Sequence, residues 1–470
     1  MLERFYRTNA GSLQRVYDRM PNIVRSGLTT IRGWTLARNR YSRSSQALLG
    51  ELCSHQRWTK EQIEDSQIRN LQIILDLSTA NCRFYRDYSQ LKIRSLSDWH
   101  AIPLLTREQL RADSSALFNQ AVPPDDRIIV ATTGTTGASL KVCYTTEVMR
   151  KNWAFRMQQF RWAGIEPRTP RITAFGNKVV PASRRTPPYW VYNAAERQAF
   201  VSIFHLATTT APEYIKFLRK HSGWIVEGFP SVLSILADYV ISSGEPIPMR
   251  TIFTDGEPMH PFLRDKLEAA FSAPLFNTYG NTELCGLIQQ CERGGMHLNT
   301  DYAYLEILDE ENRPVPPGQV GYLVWTGFLN DAMPLLRYRI GDRGSWSTET
   351  CGCGRNTPLV DPGVTRECDV LYAADGRVFS PRSVNQVLKG TTAFRFCQFI
   401  QREAGQVLIR AVGEGEQAER ELRKVRQEIK VLMGEQSDIE TELASAPVIR
   451  PGGKTPLIVQ QSKQSELVIT

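Results

Sequence analysis

The chain has 470 residues, of which 41% are hydrophobic and 23% charged, and a formal net charge of +8. This is ordinary globular composition, long enough for roughly two to four domains, and no run of roughly 18 apolar residues occurs, so no transmembrane segment is expected. Nine cysteines, an odd number scattered along the chain, argue against a disulfide framework and for a reducing, cytoplasmic setting.

The start of the chain is basic. Between Met1 and Arg43 stand nine arginines, no lysine, and only Glu3 and Asp18 as acids. A transit peptide, an arm for nucleic acid or an anionic membrane, and the solvated face of an N-terminal subdomain all fit that pattern. The last is preferred, because Trp34, Leu36, Tyr41, Leu48 and Leu49 are expected to pack. Arg25 and Arg32 interrupt any apolar core of a secretory signal.

Residues 58–78 carry apolar side chains at helical spacing. Thr106, followed by Glu108 and Gln109, predicts a capped helix start. A short apolar run at 127–131 reads as a strand. Beyond it, RITAFG, AFVSIF, WIVEGF, TIFTDG and YLVWTGF read as strands, and PEYIKFLRKH, SVLSILADYVISS and PFLRDKLEAAF as helices. That alternation predicts an α/β core with a largely parallel sheet. The tail differs. Residues 394–401 and 406–412 read as a hairpin, and Ala418, Leu422, Val425, Ile429 and Leu432 form a stripe on a charged helix. Strand-like IETEL and PLIVQ follow. A large α/β domain over 1–364, mainly helical over 1–120, is expected before a small α+β domain over 365–470.

The first strand runs into VATTGTTGASLKV, residues 130–142. A P-loop requires a second glycine where Ser139 stands and a lysine where Leu140 stands, so this is not one. Its glycines let backbone N–H groups turn toward an anion, the threonine hydroxyls add donors, and Lys141 adds charge. Alone, it favours a nucleotide phosphate only modestly. Three later stretches, NTYGNTE (277–283), RYRIGD (337–342) and PGGK (451–454), change that. The four motifs, in this order, resemble those of the adenylate-forming superfamily of acyl-CoA synthetases and peptide-synthetase adenylation domains. WIVEGFPSVLSILADY, TDGEPMH, CERGGMH and CGCGR are similar to the branch of phenylacetate–coenzyme A ligase, capsule-biosynthesis proteins and deazaflavin-coenzyme synthetases. The resemblance spans nearly the whole chain.

The resemblance implies the adenylate-forming-enzyme fold with a small C-terminal lid, and activation of a carboxylic acid by ATP and Mg²⁺ with release of pyrophosphate. Thr132, Thr133, Gly134, Thr135, Thr136 and Gly137 match the loop around the leaving phosphates, with Lys141 beside them. Tyr279 would stack on adenine, flanked by Asn277 and Gly280, with Gly256 and Glu257 in the segment lining it. Thr282 would hold the α-phosphate, Glu283 the Mg²⁺ and Asp342 the ribose hydroxyls. Lys454, carried by the lid, would swing in to stabilise charge as the adenylate forms. Arg366 matches an arginine near ribose or phosphate, although Thr365 stands where the family's hinge motif has glycine. His205 and Phe229 would flank the acid, together with Phe175, Gly176 and Pro230.

Cys291-x5-His297 and Cys351-x-Cys353 offer three thiolates and an imidazole, a common tetrahedral zinc set. Relatives in this branch look alike here, which implies a structural Zn²⁺. Cys285 reads as pocket wall or core rather than nucleophile. The acceptor is open among coenzyme A, a carrier protein, an amine and a hydroxyl. Transfer of AMP itself to a hydroxyl and a catalytically inactive nucleotide-binding scaffold are the alternatives. Nucleic acid is not an expected partner. The oligomeric state is not written in the sequence, a homodimer being one option.

Overall fold

The computed structural model describes residues 16–132, 140–366, 371–448 and 456–461, apart from scattered positions between 176 and 208 and between 375 and 395. Three helices lead: α1 (Asn22–Arg40), α2 (Arg43–His55) and α3 (Lys60–Asn81). Helix α3 starts where its cap dictates. The Thr59 hydroxyl accepts from the Gln62 amide (3.3 Å) and the Gln62 side chain accepts from the Thr59 amide (2.9 Å). That reciprocal pair satisfies two donors the helix cannot, so the helix begins at Lys60 rather than at residue 58. Thr106 and Gln109 repeat the device at α4 (Arg107–Ala112).

Strands β1 (Ile128–Thr132) and β2 (Leu140–Tyr144) pair antiparallel as their own two-stranded sheet. Helix α5 (Thr146–Trp162) follows. Next come β3 (Arg171–Ala174), β4 (Trp190–Asn193), β5 (Gln198–Val201), α6 (Ala211–Lys220), β6 (Ile225–Gly228), α7 (Pro230–Ser242), β7 (Thr251–Asp255), α8 (Pro261–Phe271), β8 (Leu275–Gly280), β9 (Leu287–Gln290) and β10 (Met296–Leu298). The strands form one sheet in the order β10-β9-β8-β7-β6-β3-β5-β4.

The centre of that sheet, β8-β7-β6-β3-β5, is parallel, as the β/α alternation requires. Its edges are antiparallel. Successive residues of β6 face opposite layers. Val226 packs with Leu233 and Leu236 of α7 and Leu267 of α8, while Ile225 packs with Phe160 of α5, Phe253 and Phe276. Full burial of each such side chain stabilises the fold by roughly 1.5–3 kcal/mol.

A second sheet, fully antiparallel, joins β11 (Ala303–Leu308), β12 (Gly321–Gly327), β13 (Tyr338–Trp346) and β14 (Val360–Arg366). The strand expected at YLVWTGF is β12, and it belongs here rather than to the parallel sheet. Its Trp325 and the Trp99 of the helical start are buried in the core cluster that also takes in Leu71 and Leu75 of α3.

The C-terminal part holds a short ribbon of β15 (Leu371–Tyr372) and β16 (Val378–Phe379). It also holds β17 (Phe396–Glu403), β18 (Gln406–Val412), helix α9 (Gly415–Met433), β19 (Asp438–Ala444) and β20 (Ile458–Gln460), the four strands in the order β19-β18-β17-β20. Helix α9 buries Ala418, Leu422, Val425, Ile429 and Met433 against that sheet. Met433 replaces the expected Leu432 at the end of the stripe, four residues after Ile429, and Leu432 lies at the rim. The whole is a large α/β domain with a small α+β domain after it. No helix among the described residues is long and apolar enough to cross a membrane.

The N-terminal expectation is corrected at one residue. Leu49 is buried and Leu36, Tyr41 and Leu48 are partly buried, but Trp34 stands out in solvent.

Candidate active site

The C-terminal end of β8 delivers the NTYG stretch. Asn277 is buried and its side-chain oxygen accepts from the Thr254 hydroxyl of β7 (2.9 Å). The Thr278 hydroxyl donates to Gln159 of α5 (2.8 Å), whose amide donates in turn to the Asn277 carbonyl (2.9 Å). These bonds fix the strand end, and they assign the Asn277 side chain to bracing the sheet. Tyr279 then emerges half-buried, its ring stacked on Trp325 of β12 (centroids 5.9 Å apart, 19° between planes). Gly286 makes room for that indole, since a Cβ there would collide with it.

The Tyr279 hydroxyl donates to Asp342 Oδ2 at 2.8 Å. This bond joins the end of the large sheet to β13 of the second sheet. Burial and the Asp342 carboxylate push the Tyr279 hydroxyl well above its ordinary pKa, so it stays a donor. Asp342 is 6% exposed and faces Arg366 across the β13–β14 ladder.

After Tyr279 the chain turns tightly. Asn281 accepts from the Cys285 amide (3.0 Å), Leu284 has a positive φ of 55°, Thr282 is exposed and Glu283 is buried. Burial and the Glu283 and Asp342 carboxylates hold the Cys285 thiol well above its ordinary pKa. It is therefore a protonated group of the core, and both carboxylates lie within electrostatic reach of it.

The Thr/Gly loop connects the two strands of the β1–β2 hairpin, with Thr132 paired to Leu140. Lys141 belongs to β2, paired with Ala131 and exposed, rather than to the loop itself. Thr133, Gly134, Thr135, Thr136, Gly137 and Lys454 lie outside the described residues, as do the side chains of Thr132 and Arg366. Gly256 and Glu257 follow β7 directly, half-buried at the same end of the sheet as Tyr279.

On the other side of β6, Phe229 caps α7 and meets Phe175 edge to face (5.1 Å, 83°). Both lie at the C-terminal ends of parallel strands, where open α/β sheets place ligands. His205 is held on both ring nitrogens, by the Ser202 hydroxyl (2.7 Å) and the Pro181 carbonyl (3.1 Å), and stacks on Tyr189. It braces the turn that follows β5.

The cysteine–histidine set converges from distant parts of the chain. Cys291 follows β9, His297 lies on β10, and Cys351 and Cys353 sit between β13 and β14, with all four donor atoms within 4.8 Å of one another. Cys291 Sγ is 3.5 Å from Cys351 Sγ, and Cys353 Sγ is 3.3 Å from His297 Nε2. His297 Nδ1 is 2.9 Å from the Thr357 hydroxyl and 3.3 Å from its carbonyl. Donation to that carbonyl leaves Nε2 as a lone-pair donor toward the cysteines. Burial, with Cys351 and Cys353 alongside, pushes the Cys291 thiol up to about 12. A divalent cation would relieve that crowding, and three thiolates with one imidazole fit zinc.

Two residues of the site were not singled out from sequence. Trp325 sits in an apolar run that gives no sign of its stacking partner. Arg337, in RYRIGD, is 6% exposed with a positive φ of 47°. Its guanidinium forks onto Glu306 (2.9 and 2.8 Å) and reaches the carbonyls of His100 (3.2 Å) and Ile102 (2.6 Å). It fixes the start of β13, five residues before Asp342.

Comparison with known proteins agrees with this fold. Protein CapK of Staphylococcus aureus is 23% identical over 448 residues, covering 89% of this chain and 96% of that protein. Phenylacetate-coenzyme A ligase of Thermus thermophilus is 27% identical over 304 residues, 63% of this chain and 66% of the ligase. The crystal structure of a 2-hydroxyisobutyryl-CoA ligase, in the postadenylation state with R3-HIB-AMP, shares the fold with a TM-score of 0.70 at 18% identity, over 87% of this chain and 91% of that one. The family model described as AMP-binding enzyme matches residues 57–329, more than half of the chain and the part that carries Tyr279, Glu283 and Trp325, so the chain belongs to this adenylate-forming family.

Proposed function

We propose that this protein activates a small carboxylic acid with ATP, releases pyrophosphate, and passes the acyl group from the adenylate to a thiol, of coenzyme A or of a carrier protein. The observation that carries the reading is the Tyr279–Asp342 hydrogen bond at 2.8 Å, formed where the motif Tyr-Gly-x-Thr-Glu meets the motif Tyr-Arg-x-Gly-Asp. It brings a flat aromatic face and a ribose-binding carboxylate together beside Glu283. An amine or hydroxyl acceptor would use the same first half-reaction.

In this reading Tyr279, Gly256, Gly280 and Glu257 border the adenine, and Asp342 accepts from both ribose hydroxyls, with Arg366 facing it across the ladder. Asn277 acts indirectly, by holding the strand end. Thr282 donates to the α-phosphate. Thr132, Thr133, Gly134, Thr135, Thr136 and Gly137, with Lys141 at the base of the hairpin, receive the β- and γ-phosphates. Glu283 is the carboxylate that would hold Mg²⁺, which supplies charge neutralisation on the phosphates. Phe229 and Phe175 wall the acid, with His205 supporting them. An oxygen of the substrate carboxylate attacks the α-phosphorus, the bond to the bridging oxygen breaks, and the electron pair leaves with pyrophosphate. Lys454, on the small domain that we place over 365–470, stabilises the charge shared between carboxylate and α-phosphate. Cys291, His297, Cys351 and Cys353 would hold a structural zinc, with no ligand position left open.

The test is carboxylate-dependent ATP–pyrophosphate exchange across aromatic, fatty and amino acids. Exchange is expected with at least one class, and Lys454→Ala should abolish it while leaving ATP binding in place. ATP binding without exchange for every acid would refute the reading.

A further inference from the structure

Helix α1 is amphipathic the wrong way round. The side it turns to the protein is small and polar. Ser26 accepts from the Tyr192 amide (3.2 Å) and Thr30 from the Ala194 amide (3.1 Å), so the helix docks along the edge strand β4. Gly33 lies so close to Asn193 that a Cβ would collide with it. Arg40 and Tyr41 both reach the buried Glu196 carboxylate (3.4 and 3.2 Å). Polar contacts therefore hold the helix on the sheet, and its apolar side chains are left over.

Those side chains face water. Ile23 is 82% exposed, Trp34 69%, Ile31 63% and Val24 42%. At 100° per residue they fall, with Gly27, Thr35 and Arg38, in one arc that begins next to Thr30 and turns away from the sheet. Arg32 flanks the arc. From Arg19 to Gly50 the sequence holds six arginines and no acid. An exposed tryptophan one turn from an exposed isoleucine, with a second exposed apolar pair, Ile23 and Val24, two turns earlier on the same side, is uncommon on a protein surface. An apolar ridge whose charged neighbours on the helix are all arginines is the pattern of a helix that lies in a membrane interface.

We propose that the outer face of α1 docks on an anionic lipid bilayer, with Ile23, Ile31 and Trp34 entering the headgroup boundary and Arg32 and Arg38 meeting lipid phosphates. Charge selects this occupant over a second copy of the chain. A two-fold pairing would set the arginines of one copy against those of the other with no carboxylate among the described residues of the helix to offset them. An anionic leaflet supplies the missing sign. The helix need not refold, because its inner face already fixes it.

The experiment is co-sedimentation of the full chain with phosphatidylglycerol-containing vesicles against pure phosphatidylcholine vesicles. Binding is expected only to the anionic vesicles, weakening as salt rises. Ile31→Ser with Trp34→Ser should lower the partition coefficient at least about tenfold, with thermal midpoint and ATP–pyrophosphate exchange unchanged. Arg32→Gln and Arg38→Gln should each lower it about fivefold. The proposal is overturned if the full chain does not bind anionic vesicles, or if it binds as well after the Ile31/Trp34 replacement. It is equally overturned if the face proves to be a dimer contact, seen as a concentration-dependent dimer that the same replacement dissolves. Vesicle binding that appears only after residues 1–15 are removed would show that the chain's own start covers the face, and would also overturn it.

Discussion

Replacing Tyr279 by phenylalanine separates the two jobs of that residue. The ring keeps its stack on Trp325 at 5.9 Å and only the hydroxyl 2.8 Å from Asp342 Oδ2 is lost. A hydrogen bond to a charged group is worth about 1.5–3 kcal/mol. The site opens to solvent at the half-buried tyrosine, so the lower end applies. A carboxylate has four lone-pair sites. Two ribose hydroxyls and the tyrosine can therefore share Asp342, and the tyrosine's part is to hold it oriented before ATP arrives. The expected result is ATP binding weakened by up to about tenfold, from about 1.4 kcal/mol, together with a lower thermal midpoint, because the bond is already formed in the ATP-free protein. Isothermal titration with ATP measures it directly. Asp342→Ala, which in the proposed reading removes two ribose contacts to a charged group worth at least about 1.5 kcal/mol each, should weaken binding by more than about a hundredfold. Tighter binding by Tyr279→Phe would refute the reasoning, since it would mean that the hydroxyl competes with ribose.

Glu227 sits on β6, bonded to Thr173 (2.6 Å) and Arg156 (3.0 Å) and beside Arg171 (3.5 Å). Burial alone pushes its carboxyl up, but the guanidiniums of Arg171 and Arg156, with Thr173, bring it below its ordinary value. Glu227→Gln leaves buried arginine charge behind and should cost about 3–5 kcal/mol at neutral pH. A depressed carboxyl stabilises above its unfolded pKa and loses that contribution as pH falls through the folded value, so the gap between wild type and variant should close in acid. A gap constant with pH would contradict the assignment. Gly286→Ala should push Trp325 off Tyr279, costing about 1–3 kcal/mol of stability and weakening ATP binding. An unchanged ATP affinity would show that the stack does not shape the nucleotide site. Metal analysis of the purified protein should find about one zinc per chain from the single four-donor set, lost in Cys351→Ser together with a fall in thermal midpoint. A metal-free wild type of undiminished stability would remove zinc from the account.

The helix start at Thr106 was legible because a side chain caps it locally, whereas the apolar spacing that marked the helix over 58–78 did not show that Thr59 caps it and sets its start at Lys60. The β/α alternation was legible because each parallel strand and its helix carry their own apolar faces. The membership of β12 was not. A buried apolar run such as YLVWTGF fits either sheet, and only pairing with β11 and β13 decides. The four cysteine and histidine positions were legible from donor chemistry. Trp325 was not, because a tryptophan in an apolar strand gives no sign of which ring it meets. Arg337 looked like part of a nucleotide motif, but its fork onto Glu306 and two backbone carbonyls joins stretches some two hundred residues apart. Trp34 misled for a plain reason. Packing was inferred from apolar character, whereas α1 is anchored through serine, threonine and glycine.

The cysteine–histidine cluster also bears on the order of folding. Its close contacts join residues 60 and 56 positions apart in the chain, so no local hairpin assembles them. They meet only once β9 and β10 of the large sheet lie against the loop between β13 and β14. Contacts of that separation form late, after loop-closure entropy has been overcome. A cation held by all four donors would therefore be captured at the end of assembly. Its binding energy would then slow unfolding rather than speed folding, and the cluster would set how long the native state lasts.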